Sequence, residues 1–164
     1  MLRHSPPPQK SKKRLGAAAV ELAIVLPVFM SLAFVSIETG HALKVSQALE
    51  SAIRDGGRLA TKDVDPSLLA GGITANQKVI NDIKNMLRAE GYSTTNVAVS
   101  IVYADGPTVG QTFDLSLTSN QYKLMKITVS IPYSDVRMFP MSISQSSVLK
   151  STLIASKGRA SLNY

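Results

Sequence analysis

The chain has no cysteine, which excludes a disulfide framework and thiolate chemistry and fits a domain of the cell envelope. Histidine is almost as scarce. The two are His4, in a charged N-terminal leader, and His41, just past a long apolar run. Neither a Ser-His-Asp arrangement nor a His-rich metal site can be assembled from the remainder. The phosphate-binding GxxxxGK(S/T) loop and the GxGxxG fingerprint are also missing. Asp105, Asp114 and Asp135 fall in or beside expected turns, so no carboxylate pair stands out. On these absences the chain reads as a non-enzyme, with no cofactor and no metal site.

Acid is missing from residues 1 to 14, whereas Arg3, Lys10, Lys12, Lys13 and Arg14 are all there. That asymmetry carries most of the net charge of +7 and the pI near 9.8. The leader holds five of the 18 basic residues and none of the 11 acids, which leaves 13 against 11. Lys78, Lys84 and Arg88 are interleaved with Asp82 and Glu90, so no basic face for phosphate contacts forms and no nucleic-acid partner is expected. With Pro6-Pro7-Pro8 among its cations, the leader is expected to be extended or disordered.

Charge is nearly absent again from Gly16 to Ile37, 22 residues in which Glu21 is the single ionisable group. A helix of roughly 20 apolar residues crosses a ~30 Å hydrocarbon core. A cleaved secretory signal would have an apolar core of about 7 to 15 residues and a small-residue cleavage site behind it. Here Leu22 to Ile37 is followed by Glu38-Thr-Gly-His41, so a retained span is expected. The positive-inside rule then predicts a cytoplasmic N-terminus and an extracytoplasmic C-terminal part. Pro27 would break a soluble helix but is accommodated in a membrane span as a kink. Glu21 is costly at depth. Either it is solvated at headgroup level, or it has a partner.

Beyond the span the helical period continues. Val45, Leu49, Ala52, Ile53, Gly56, Leu59 and Ala60 fall on one face, with Lys44, Gln47, Glu50, Arg54 and Arg58 elsewhere. At Gly56-Gly57 either the helix frays or the missing side chains let a sheet pack close. Asp63-Val-Asp-Pro66 is expected to end the helix as a solvated turn. A second helix is predicted from about Thr74 to Ala89, with Val79, Ile80, Ile83, Met86 and Leu87 on its core face and Gly91 as the stop. The period then becomes two. Strands are expected around Val97 to Tyr103, over a short piece carrying Phe113, Leu115 and Leu117, from Met125 to Tyr133, and from Val148 to Ala155. Asp105-Gly-Pro107 supplies a turn, and Pro132 marks an edge or a strand terminus. The class is α+β: a long N-terminal transmembrane helix, a second helix and an antiparallel sheet.

Gly16-Ala-Ala-Ala-Val-Glu21, behind Lys12-Lys-Arg14 and ahead of a hydrophobic helix, resembles a type IV prepilin leader. More narrowly, Arg14-x-Gly-Ala-Ala-Ala-Val-Glu-x-Ala-x-Val-Leu-Pro27, Gly40-x-Ala-Leu43 and Ala52-x-Arg-Asp-Gly-Gly-Arg-Leu-Ala60 resemble the TadE-like proteins of the tight-adherence pilus system. The resemblance covers about the first 60 residues well and the strand near Lys126 to Tyr133 loosely. It departs at Leu22, where these proteins often carry an aromatic residue. The resemblance implies cleavage by a prepilin peptidase between Gly16 and Ala17, and a role for Glu21 in assembly. It also implies a pilin-like domain, and partnership with other pilin or pseudopilin subunits, the pilus assembly platform and the membrane. On that reading residues 1–16 are a prepilin-type leader and 17–37 the transmembrane half of the helix. Residues 38–61 are its amphipathic outer half and 62–164 an extracytoplasmic α+β domain. The expected protein is a minor pilin or pseudopilin of the bacterial inner membrane or of an extracellular fibre. The alternative is an uncleaved single-span protein whose outer domain binds a protein partner or a cell-wall component.

Overall fold

The computed structural model describes residues 12–62, 72–139 and 147–158, with side chains from residue 16 onward. The leader up to residue 11 and the Asp63 to Pro66 turn lie outside the described residues. The chain divides into two units, Met1–Thr39 and Gly40–Tyr164. The elements follow the α+β expectation: helix α1 (Lys12–Thr61), helix α2 (Ala75–Ala89), and strands β1 (Ala98–Tyr103), β2 (Leu124–Pro132) and β3 (Val148–Ser156).

Both helix faces of the second unit follow from spacing. Along residues 45 to 60 of α1 the buried positions are Val45, Ala48, Leu49, Ala52, Ile53, Gly56, Gly57 and Ala60. This is the predicted stripe with Ala48 and Gly57 added and Leu59 lost at its C-terminal end. There it narrows onto Gly56, Gly57 and Ala60, and Leu59 is left at the rim, 39% exposed. α2 buries Ala75, Val79, Ile83 and Leu87. Its start is a capping box, in which Gln77 N–H donates to Thr74 Oγ1 (3.2 Å) and Thr74 N–H donates to Gln77 Oε1 (3.0 Å). Its end is a Schellman turn, with Tyr92 N–H donating to Leu87 O (3.1 Å) and Gly91 N–H to Arg88 O (3.0 Å). Gly91 takes φ +90° there, a conformation other residues reach only at a cost.

The sheet is antiparallel, in the order β1-β2-β3. Met125, Ile127, Val129 and Ile131 of β2 are at most 1% exposed, so the central strand has the strict alternation expected of one buried face. Pro132 is its last residue, and Tyr133 belongs to a short 3-10 turn, Tyr133–Asp135. The alternating piece Phe113, Leu115, Leu117 is not a strand. Phe113 and Leu115 are buried and Leu117 is 48% exposed, and among the described residues the ladder contact of this piece is a single bridge between Val102 and Thr112. The reason lies in its backbone. Asn76 Nδ2 donates to Phe113 O (2.6 Å), and Asn76 Oδ1 accepts from Leu115 N–H (2.9 Å). Phe113 C=O and Leu115 N–H, which would carry the pairing with β1 further, are thus already taken.

Helix α1 does not fray at Gly56-Gly57, and the two glycines serve different neighbours. A Cβ on Gly57 would stand 2.2 Å from Leu153 Cδ2 of β3, the close approach of the sheet expected there. A Cβ on Gly56 would stand 2.3 Å from Ile83 Cγ1, so Gly56 admits α2 rather than the sheet. Ile83 is fully buried and has no room to retreat. Gly56→Ala should therefore destabilise the fold by about 1–3 kcal/mol, the usual cost of overpacking, in spite of alanine's better helix propensity. Gly40→Ala, where nothing lies within 4 Å of the added methyl, should instead be neutral or stabilise by roughly 0.5–1 kcal/mol. Urea unfolding in detergent micelles, followed by circular dichroism, separates the two. Adding Ile83→Ala to Gly56→Ala should cost less than the sum of the single changes.

Candidate functional site

The described part of the first unit, residues 12–39, lies wholly within α1, and its side chains from Gly16 to Ile37 are exposed. Ala17-Ala-Ala19 are the strongest helix formers. The branched residues that follow would weaken an isolated helix in water, but in an apolar medium the helix is the form that satisfies every backbone group internally. Ser31, Ser36 and Thr39 obey the same constraint with their side chains. Their hydroxyls donate back to Val28 O, Leu32 O and Val35 O, each at 2.8 Å. Pro27 lies inside the helix, which continues on both sides of it. By its chemistry it leaves the Ala23 carbonyl without the usual donor four residues on.

The apolar side chains are uncovered. Phe29 is 71% exposed and Ile24 68%, and none of the most apolar 18-residue window is buried. Its mean hydropathy is 2.3, and the helix is long and apolar enough to cross a membrane. A contiguous apolar surface of this size on a protein marks contact with a membrane or another protein.

At the N-terminal end of this stretch Gly16 and Ala17 lie on one turn of α1 and Glu21 on the next. Ala17 and Glu21, four residues apart, share a helix face. A Cβ on Gly16 would meet no atom within 4 Å, so packing within the chain does not call for glycine there. Glu21 is exposed and forms no salt bridge among the described residues, unlike Glu50, paired with Arg54, and Asp82, paired with Lys78. The structure thus gives Gly16 and Glu21 no task in holding the fold.

His41 does have one. Its Nε2 lies 2.6 Å from Val136 O. A carbonyl only accepts, so Nε2 carries the proton and the ring ties α1 to the turn after β2. Among the described residues no group of three or more His, Asp or Glu could hold a metal ion. An open groove of about 260 Å³ runs along α1, lined by Gln47, Glu50, Ser51, Arg54, Asp55 and Arg58. It is a solvated helix face of mixed charge.

One polar cluster has no signal in the sequence. Asn120 is 1% exposed. Its Oδ1 accepts from Tyr103 Oη (2.7 Å) and its Nδ2 donates to Asp114 O (2.8 Å). Lys157, 3% exposed, donates to Leu115 O. With Asn76 these side chains hold the loop from Phe113 to Lys123 against the core, where the Tyr103 and Phe113 rings meet at 4.7 Å. The Asp114 carboxyl is held below the usual carboxylate range, chiefly by the Ser116 hydroxyl and amide donors and least by Lys157. The Tyr92 phenol is raised, first by burial and then by Glu90.

The family model described as TadE-like protein matches residues 16–58. The match opens on Gly16 and takes in Glu21, Pro27, Gly40 and the Gly56-Gly57 pair, so the resemblance read from these residues is borne out over that segment. Neither the curated proteins nor the solved structures include a match to the chain.

A lowered carboxyl stabilises the fold above its unfolded value and loses that contribution as the pH falls through its folded value. Ser116→Ala should therefore lower the urea midpoint at about pH 7, and by progressively less as the pH falls through the folded value of Asp114. The Asp114 carboxyl resonance, followed by NMR across pH, should move toward the ordinary range in the variant.

Proposed function

We propose that this chain, TadE-like over residues 16–58, is a minor pilin or pseudopilin of a tight-adherence pilus system. On this reading a prepilin peptidase cleaves it after Gly16. The chain crosses the bacterial inner membrane once, with the leader in the cytoplasm and residues 38–164 outside. Its role is structural rather than catalytic, and its partners are other pilin-type subunits and the assembly platform.

The observation that carries the reading is that Gly16 and Glu21 sit at the head of an uncovered apolar helix that needs neither of them for its own packing. Glycine before the scissile bond suits a peptidase that works at the membrane face and must approach the backbone closely. After cleavage the new amino group on Ala17 carries a positive charge, and Glu21 carries the negative charge one turn on. Pairing the two between neighbouring subunits removes both charges from the edge of the hydrocarbon. Deleting one partner of such a buried pair costs about 3–5 kcal/mol, because the other charge stays behind uncompensated. Ala17-Ala-Ala19 offers the small surface on which a second helix can approach.

Intact mass of the protein extracted from its native host membrane tests the reading. The mature chain should lack residues 1 to 16, and Gly16→Val should keep them. A full-length wild-type chain would instead point to an uncleaved single-span protein. Glu21→Gln should be cleaved normally and keep its fold, because Glu21 is exposed and forms no salt bridge among the described residues, yet fail to enter a complex with other pilins. Wild-type assembly of that variant would leave Glu21 a solvated residue at headgroup level.

A further inference from the structure

The two edges of the sheet differ. On β1, Phe113 N–H donates to Ile101 O (3.0 Å), Tyr103 N–H to Gln111 O (2.9 Å), and Gly110 N–H to Tyr103 O (3.1 Å). The loop after β1 thus covers the C-terminal half of that edge. The same bonds fix a parity: odd residues of β1 turn their backbone groups away from β2, and even ones turn theirs toward it. Val102 stands opposite Lys126, and Ile127 opposite Leu153. Odd residues of β2 and β3 therefore bond to one another, a ladder that Lys157 N–H extends by donating to Lys123 O (3.1 Å). The even residues of β3 turn their N–H and C=O groups outward. Among the described residues, no backbone hydrogen bond beyond the β2 ladder reaches β3, and Thr152 Oγ1 lies 3.5 Å from Thr128 Oγ1 of β2 on the sheet face.

An edge strand is ordinarily kept short, bulged, interrupted by proline or covered. β3 is nine residues long and pairs without a bulge from Val148 opposite Pro132 to Ser156 opposite Leu124. Its outward side chains include Val148 and Ile154, 57% and 59% exposed, with Lys150 and Thr152 between them. Across the three strands the charged residues are Lys126 and Lys150, and none is acidic.

We propose that the β3 edge accepts an extended strand from another protein, and that this strand carries acidic residues on the side facing Lys150 and Lys126. Main-chain bonds to Lys150, Thr152 and Ile154 supply affinity, and alternate side chains supply the selection. Charge argues against a second copy as the occupant, since its β3 would bring no acid to either lysine. The proposal does not depend on how the N-terminal segment is processed.

The full chain in detergent micelles is tested with a nine-residue peptide alternating valine and glutamate, and with its valine-lysine counterpart. The glutamate peptide should slow amide exchange at Lys150, Thr152 and Ile154 by at least about tenfold. The lysine peptide should not. Thr152→Pro removes an edge N–H and leaves the ladder to β2 intact, so it should weaken binding at least roughly tenfold without altering the circular dichroism. Ser151→Pro, by contrast, removes a ladder donor and should destabilise the fold. Lys150→Glu should weaken the glutamate peptide by roughly two- to fivefold and favour the lysine one. Unchanged exchange with the glutamate peptide overturns the proposal, as does equal binding of the two peptides. Protection of the same amides that rises with protein concentration alone would overturn it too, by making a second copy the occupant.

Discussion

Apolar surface that the chain cannot bury governs this structure. From Val20 to Ile37 the large side chains stand about half exposed or more. At the usual 25 cal/mol per Å², leaving such a surface in water costs many times the net stability of a small domain. A lipid core removes that cost and imposes a condition of its own, that every backbone and hydroxyl donor be satisfied within the helix. The back-bonded Ser31, Ser36 and Thr39 meet it. Within this setting the chemistry of Gly16 and Glu21 acquires meaning, because one has no packing task and the other has no partner in its own chain among the described residues.

Residues 40 to 61 of α1 answer to a different constraint, close approach. Alanine and glycine dominate the buried stripe toward its end, and the missing side chains at Gly56 and Gly57 are filled by Ile83 and Leu153. One glycine therefore admits the second helix and the other admits the edge strand of the sheet. The helix is bound into the core by small residues, so its contacts tolerate little added volume.

Periodicity made much of this legible beforehand. The stripe from Val45 to Ala60, the core face of α2 and the alternation of β2 each repeat a burial pattern several times over, and repetition separates a helix or strand from chance. The Phe113 to Leu117 piece shows where such reading stops. A loop with two buried apolar residues two apart mimics a short strand, and what decides is a side chain 37 residues away, Asn76, whose amide occupies the backbone. Asn120 and Lys157 were invisible for a related reason: a polar residue in a loop reads as solvated unless its partners are known. At the candidate site Gly16, Glu21 and Pro27 stood out as a motif, and the family match over residues 16–58 covers all three. The outward-turned backbone groups of β3 needed the hydrogen-bond parity of the whole sheet, which no stretch of sequence carries.

The absence of cysteine makes the central claim, that the apolar part of α1 crosses a bilayer once, directly measurable. Single cysteines at Val25, Phe29 and Gln47 can be probed in whole cells with a maleimide that does not cross membranes, before and after the membrane is opened. Cysteines at positions 25 and 29 should stay unlabelled throughout, while position 47 should label in cells with the inner membrane intact. Ready labelling at 25 or 29 would contradict a span, and labelling of 47 only after lysis would contradict its orientation.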